Sequence, residues 1–176
     1  MILGQPYSED IWDAREIWSR DELENYQLKR LKEQLARIAR TSRYYSRVFA
    51  RIGFNPGDLR SFDDLRALPL TRKGDYQAAL QEEPPFGSML AVSPSEVVRV
   101  HFSSGTTSKP TPDCWTAADI ERWTDLYARL AYSQGVRRND VYQCLFNFSW
   151  FVGGLGGLMA YQRIGATCIP GGSGDS

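Results

Sequence analysis

Val97-Val98-Arg99-Val100-His101-Phe102 runs directly into Ser103-Ser104-Gly105-Thr106-Thr107-Ser108-Lys109-Pro110-Thr111. The first six residues are rich in β-branched and aromatic side chains and read as a strand. The residues that follow are small or hydroxylated from 103 to 108 and cannot pack a core. They can instead present backbone N–H groups and hydroxyls to an anion, with Lys109 as a point charge beside them. The P-loop cradles phosphate by the same means. No G-x-x-x-x-G-K spacing ends at Lys109, so this is a different motif. Composition alone leaves two readings open, a polyphosphate cradle and the commoner plain loop.

Downstream the pattern alternates. Thr116-Ala117-Ala118-Asp119 has the form of a helix N-cap with an acid at the third position. The helix that follows carries Ile120, Trp123, Tyr127 and Leu130 on one face and stops near Gly135. Val141 to Phe146 reads as a second strand. A glycine-rich helix is predicted from about Phe151 to Arg163, ending at Gly165, followed by a strand from Ala166 to Ile169. Strand, helix, strand is the βαβ unit of a parallel sheet.

Upstream, residues 9–52 are helical in pattern. Leu28, Leu31, Leu35, Ile38 and Ala39 form one apolar stripe, and Gly53 is the expected stop. Arg37, Arg40, Arg43, Arg47 and Arg51 read as the solvated side of this helix, or else as a membrane or nucleotide face. Residues 53–95 are turn-rich, with short helices over Ser61–Leu68 and Thr71–Leu80. The expected class is therefore α/β. A mainly helical lead-in covers 1–95, and a sheet-forming part bearing the small-residue loop covers 96–176.

Lys+Arg and Asp+Glu both number 21, so no basic footprint argues for nucleic acid. The N-terminus lacks the charged-then-apolar pattern of an export signal, and the longest uncharged apolar run, Phe151 to Tyr161, is too short to span a bilayer. A cytoplasmic protein that touches neither membrane nor nucleic acid is expected. Cys114, Cys144 and Cys168 are odd in number, have no metal spacing and read as free thiols. His101, the single histidine, reads as a packed strand residue rather than a general base. No G-x-S-x-G elbow is present to support serine hydrolysis. Phe146, Phe148, Trp150 and Phe151, beside Gly153-Gly154, either pack a core or line a small apolar pocket suited to an aryl acid.

Ser103–Thr111 resembles the nucleotide-binding signature of the adenylate-forming superfamily, and most of all the phenylacetate-CoA ligase family pattern S-S-G-T-T-G-K-P-T. Only Ser108 departs from it. Leu68-Pro69-Leu70-Thr71-Arg72-Lys73 resembles the family's L-P-F-T-x-K, and Pro85-Phe86-Gly87 its Y-P-F-G. Phe146 to Gly156 resembles its Y-G-Y-G-L-F-T-G-G-L-G. The likeness runs from about residue 25 to residue 176.

The resemblance implies activation of an aromatic or arylacetic carboxylic acid with ATP and Mg²⁺ through an acyl adenylate, followed by transfer to CoA. It places ATP phosphate binding on Ser103, Ser104, Gly105, Thr106, Thr107, Ser108 and Lys109. It places the acyl pocket on Phe146, Phe148, Trp150, Phe151, Gly153 and Gly154. Family members are more than twice as long, and Gly171 to Ser176 resembles the middle of a family loop. The chain is thus expected to be the N-terminal part of the adenylation domain, without the small lid domain. No catalytic residue and no metal ligand is expected within it, and alone it is expected to be inactive. A sheet cut short exposes an edge, so self-association, most simply a homodimer, is anticipated. Ser108 gives up the backbone freedom of the family glycine. Pro112-Asp113 replaces a small apolar pair, which predicts a broken strand after the loop. Asn147 and Ser149 replace glycines, which draws the pocket away from phenylacetate itself. Two other classes stay open: a non-catalytic nucleotide- or partner-binding module, and an adenylating enzyme whose acceptor is a carrier protein or an amine.

Overall fold

The computed structural model describes residues 3–103 and 110–174. The chain divides into two compact bodies, one made of residues 18–97 and the other of residues 1–17 with 98–176.

The first body is helical. Helix α1 (Arg20–Thr41) opens on a capping box, in which the Ser19 hydroxyl accepts from the Glu22 amide and the Glu22 carboxylate accepts from the Ser19 amide at 2.8 Å. Helix α2 (Arg43–Ile52) follows after a single residue. That residue, Ser42, explains why the predicted continuous helix is two helices. Its N–H closes α1 on the Ile38 carbonyl, its hydroxyl accepts from Tyr45 N–H to cap α2, and the same hydroxyl donates to the Ser88 carbonyl at 3.2 Å. Gly53 ends α2 in the left-handed conformation (φ 65°), as its sequence position predicts. Leu35, Val48, Phe49 and Leu59 form the buried core, with Leu28, Leu31, Ile38 and Ala39 packed around them. The predicted stripe therefore faces inward. Of the two short predicted helices, the first is a 3₁₀ segment (Phe62–Ala67) and the second is helix α3 (Lys73–Glu82).

Arg47 on α2 grips Glu82 at the end of α3 with both guanidinium branches, one of them at 2.6 Å, and Ser88 Oγ donates to the same carboxylate at 2.8 Å. The Arg47 bonds, then the Ser88 bond, pull the Glu82 carboxyl down from 4.5 to about 2. Because the folded value is depressed, the pair supports the fold above the ordinary carboxylate range, and that support fades as pH falls from 4.5 towards 2. Arg47→Met is expected to raise the Glu82 midpoint part of the way back to the ordinary range, the Ser88 bond keeping the rest, in a carbon-detected NMR titration. A midpoint left near 2 would assign the shift elsewhere.

The second body holds the strands. β1 (Val97–Phe102) pairs with β2 (Pro112–Thr116), and β3 (Val141–Gln143) pairs in parallel with β4 (Thr167–Ile169). The β3–β4 register sets Val141 against Thr167 and Tyr142 against Cys168. Helix α4 (Ala117–Ser133) starts on the predicted Thr116–Asp119 capping box. Helix α5 (Gly153–Ile164) connects β3 to β4, which completes the predicted βαβ unit, and Gly165 ends it at φ 96°. The predicted strand to Phe146 stops earlier. Cys144 N–H still reaches the Ile169 carbonyl at 2.9 Å, but the partner strand ends there, because Pro170 has no N–H and Gly171 turns its own back to Ile169.

Residues 9–19 correct the expected helix from residue 9. They form bends and one 3₁₀ turn (Ala14–Ile17). Asp13 accepts from Arg15 N–H at 2.8 Å and Glu16 accepts from Asp13 N–H at 2.9 Å, local bonds that compete with a helix. Trp12 drops into the core between α4 and α5 with Ala128, Ala131, Tyr132, Ala160 and Ile164. Its indole N–H donates to Asp125 at 3.1 Å. All three cysteines are free thiols. Among the described residues, no helix is long and apolar enough to cross a membrane.

Candidate nucleotide and acid site

The small-residue loop is anchored by its feet. Ser103 N–H donates to the Thr111 carbonyl at 3.1 Å, and Thr111 N–H donates to Ser103 Oγ at 3.1 Å. The two hydroxyls sit 2.9 Å apart. Strands β1 and β2 thus deliver residues 103 and 111 to one clip. Ser104, Gly105, Thr106, Thr107, Ser108 and Lys109 lie outside the described residues. β2 is unbroken through Pro112 and Asp113, contrary to the expected interruption. Pro112 is its first residue, the position where a strand tolerates a missing N–H.

The aromatic segment meets the same strand end. The Trp150 carbonyl accepts from Phe102 N–H at 3.1 Å and lies 3.0 Å from His101 Nδ1. The Phe102 and Trp150 rings are 5.6 Å apart, and Trp150 and Phe151 are 6.3 Å apart. His101 is buried, edge-on to Trp115 at 5.6 Å and near Trp123 at 6.4 Å. It is a packed strand residue, as expected, but one with a specific polar task. Sequence reasoning missed that task, because its partner is a backbone carbonyl 49 residues away.

Phe146, Phe148, Trp150 and Phe151 are all exposed, Trp150 to 55% and Phe146 to 68%. They pack no core in these two bodies. Phe146 rests on Gly153, and Phe148 lies against Gly154 and Gly172. Gly154 is required by this close return of the chain. A Cβ there would stand 2.8 Å from the Asn147 carbonyl oxygen and 3.2 Å from the Phe148 ring. The start of α5 is therefore a platform on which residues 146–148 fold back. Further along, a Cβ on Gly157 would meet the Tyr142 hydroxyl at 2.5 Å, while Tyr142 stacks on Tyr161 at 3.8 Å. These contacts fix α5 on β3. Burial raises the Tyr142 hydroxyl well above its ordinary value, so it acts as a neutral packing group. Gly157→Val is expected to destabilise this body by about 1–3 kcal/mol through overpacking, measured by urea denaturation. An unchanged midpoint would show that Tyr142 has room to move.

Among the described residues, no three His, Cys, Asp or Glu side chains come together as a metal site. The Ser103–Thr111 clip and the open aromatic surface are thus tied to one strand end.

No protein-family model matches the chain. Against curated proteins, it is 39% identical over 152 residues to phenylacetate-coenzyme A ligase of Aromatoleum evansii, across 86% of this chain and 33% of that enzyme. It is 39% identical over 158 residues to the enzyme of Escherichia coli strain K12, across 90% of this chain and 35% of that one. The corresponding Thermus thermophilus enzyme is 34% identical over 155 residues, with 88% and 34% covered. In sequence this chain is similar to phenylacetate-coenzyme A ligases. It spans about a third of the length of the curated relatives it matches. Its fold is that of adenylate-forming CoA ligases. It superposes on a 2-hydroxyisobutyryl-CoA ligase solved in an open conformation with 2-HIB-AMP and CoA, at TM-score 0.88 and 28% identity, over 97% of this chain and 40% of that one. The same ligase in its thioesterification state gives TM-score 0.88 and 29% identity, over 97% and 36%. The chain thus has the expected fold, with a helical N-terminal segment ahead of its strands.

Proposed function

We propose that this chain forms the triphosphate-gripping and acid-lining portion of an ATP-dependent acid–CoA ligase acting on an aromatic or arylacetic acid. The observation that carries this reading is the 34–39% identity to phenylacetate-coenzyme A ligases along nearly nine-tenths of the chain. The clip at Ser103 and Thr111 supports it, because it holds the two feet of the hydroxyl-rich loop together. In this proposal Ser103 to Lys109 hold the triphosphate while the carboxylate attacks the α-phosphate and pyrophosphate leaves, and the aromatic segment orients the acid. Preorganised donors aimed at the departing charge are the main catalytic resource in such a step. Mg²⁺, when bound, would neutralise charge on the departing phosphates that Ser103 to Lys109 hold. Adenylation, the thiol acceptor and turnover are assigned to the assembled ligase, and the isolated chain is proposed to be inactive. The three free thiols support a cytoplasmic setting in the metabolism of aromatic acids. Exposed Val98, Leu126, Leu130 and Val141 support self-association of the isolated chain, which sedimentation would reveal.

The test is acid-dependent exchange of labelled pyrophosphate into ATP by the complete enzyme that carries this sequence. Exchange with aryl or arylacetic acids is the expected result, and silence across a broad panel of them would refute the assignment. In the same assay Trp150→Ala is expected to shift preference towards bulkier acids. More than half of the Trp150 surface is already solvated, so the variant should fold. A folded variant with unchanged preference would remove Trp150 from the acid site.

A further inference from the structure

We propose that His101 is a positioning residue that fixes the aromatic acid-lining segment to the strand end from which the hydroxyl-rich loop departs, by donating from Nδ1 to the Trp150 carbonyl. The inference rests on the ligase reading for its functional half. A carbonyl oxygen can only accept, so the 3.0 Å contact requires the hydrogen on Nδ1. In the neutral ring Nε2 is then the bare nitrogen. It is buried and has no hydrogen-bond partner, and the ring packs against Trp115 and Trp123. The usual solution preference for hydrogen on Nε2 would waste a buried donor and leave Nδ1 and the carbonyl oxygen lone pair to lone pair. The aromatic surroundings thus select the tautomer that makes the clasp.

The Trp150 carbonyl has a second donor, Phe102 N–H at 3.1 Å. The two bonds come from consecutive residues of β1, and the residue after them, Ser103, is clipped to Thr111. Three consecutive residues therefore bind the aromatic segment and the far foot of the loop. Any slip of residues 150–151 along β1 would break both bonds to Trp150 at once. The clasp sets the register between acid and triphosphate, a distance that an in-line attack on phosphorus tolerates poorly.

Nitrogen-15 NMR of the chain's single histidine is expected to show hydrogen on Nδ1, and a spectrum showing hydrogen on Nε2 would overturn the proposal. His101→Phe keeps a ring among the tryptophans but loses the donor, and His101→Asn restores a donor at the Nδ1 position. Amide exchange at Phe102 should accelerate about twofold to tenfold in His101→Phe, the cost of one neutral hydrogen bond, and return towards the parent value in His101→Asn. Equal exchange in all three proteins would overturn the clasp. In the complete enzyme, His101→Phe should raise KM for the acid by a similar factor and leave KM for ATP unchanged, with rescue by Asn. A parallel rise in both constants would reduce His101 to general packing. If no acid supports exchange in the parent enzyme, the ligase reading fails alone, because tautomer and amide exchange still decide the clasp.

Discussion

Replacing Trp12 with alanine is expected to cost the 98–174 body about 3–5 kcal/mol, the range for deleting a buried aromatic. Domains of this size hold roughly 5–15 kcal/mol in total, so a third or more of the margin would go. The indole is 5% exposed and fills the space between α4 and α5. It also packs on Tyr132 at 5.4 Å, whose hydroxyl donates to the Glu9 carbonyl at 2.7 Å, so one truncation loosens both strands of the N-terminal attachment. The melting temperature of this body should fall by about 12–40 °C. Hydrogen exchange should rise in α4 and α5 and stay at parent levels in α1 and α2. Equal loosening of all four helices, or no loss at all, would show that Trp12 does not anchor this body. Trp12→Phe separates packing from the Asp125 hydrogen bond and should lose only about 1 kcal/mol for the bond, plus the smaller ring's contacts.

Lys109→Ala in the complete enzyme is expected to weaken ATP use by about tenfold to a hundredfold, the worth of a hydrogen bond to a charged group. KM for the acid should move little, because the lysine is assigned to phosphate and not to the acyl group. Thr107→Ala should follow the same pattern. Ammonium-bearing Lys109→Arg keeps the charge but not the compact point geometry, so partial recovery distinguishes field from fit. Equal losses for both substrates, or none, would make the stretch an ordinary loop.

Where structure follows from neighbouring residues, the sequence was readable. Thr116 with Asp119, Gly53 and Gly165 mark helix ends through bonds that span four residues or fewer. The parallel pairing of β3 and β4 follows from strand, helix and strand in order. The misreadings have non-local causes. Residues 9–17 look helical by composition but answer to a tryptophan socket built more than 110 residues later. Ser42 looks like one more polar residue in a helix until Ser88 arrives to accept its hydroxyl. Strand β3 loses its last predicted residues because its partner meets Pro170. For the candidate site, aromatic and hydroxyl residues were visible as types. The carbonyl that His101 grips carries no side-chain signature, so no reading of residue types could have found it.

The separation between Trp12 and Asp125 also has a consequence on the ribosome. The two are 113 residues apart, and at roughly 5–20 residues per second the indole emerges roughly 5–25 s before its partner has been made. All of residues 18–97 are synthesised within that interval and can settle their own core around Phe49 and Leu59. The N-terminal segment meanwhile stays open to the solvent with a bare tryptophan. Trp12 is translated well ahead of its socket and is among the last of these side chains to be buried, which makes it a ready handle for any factor that holds nascent chains.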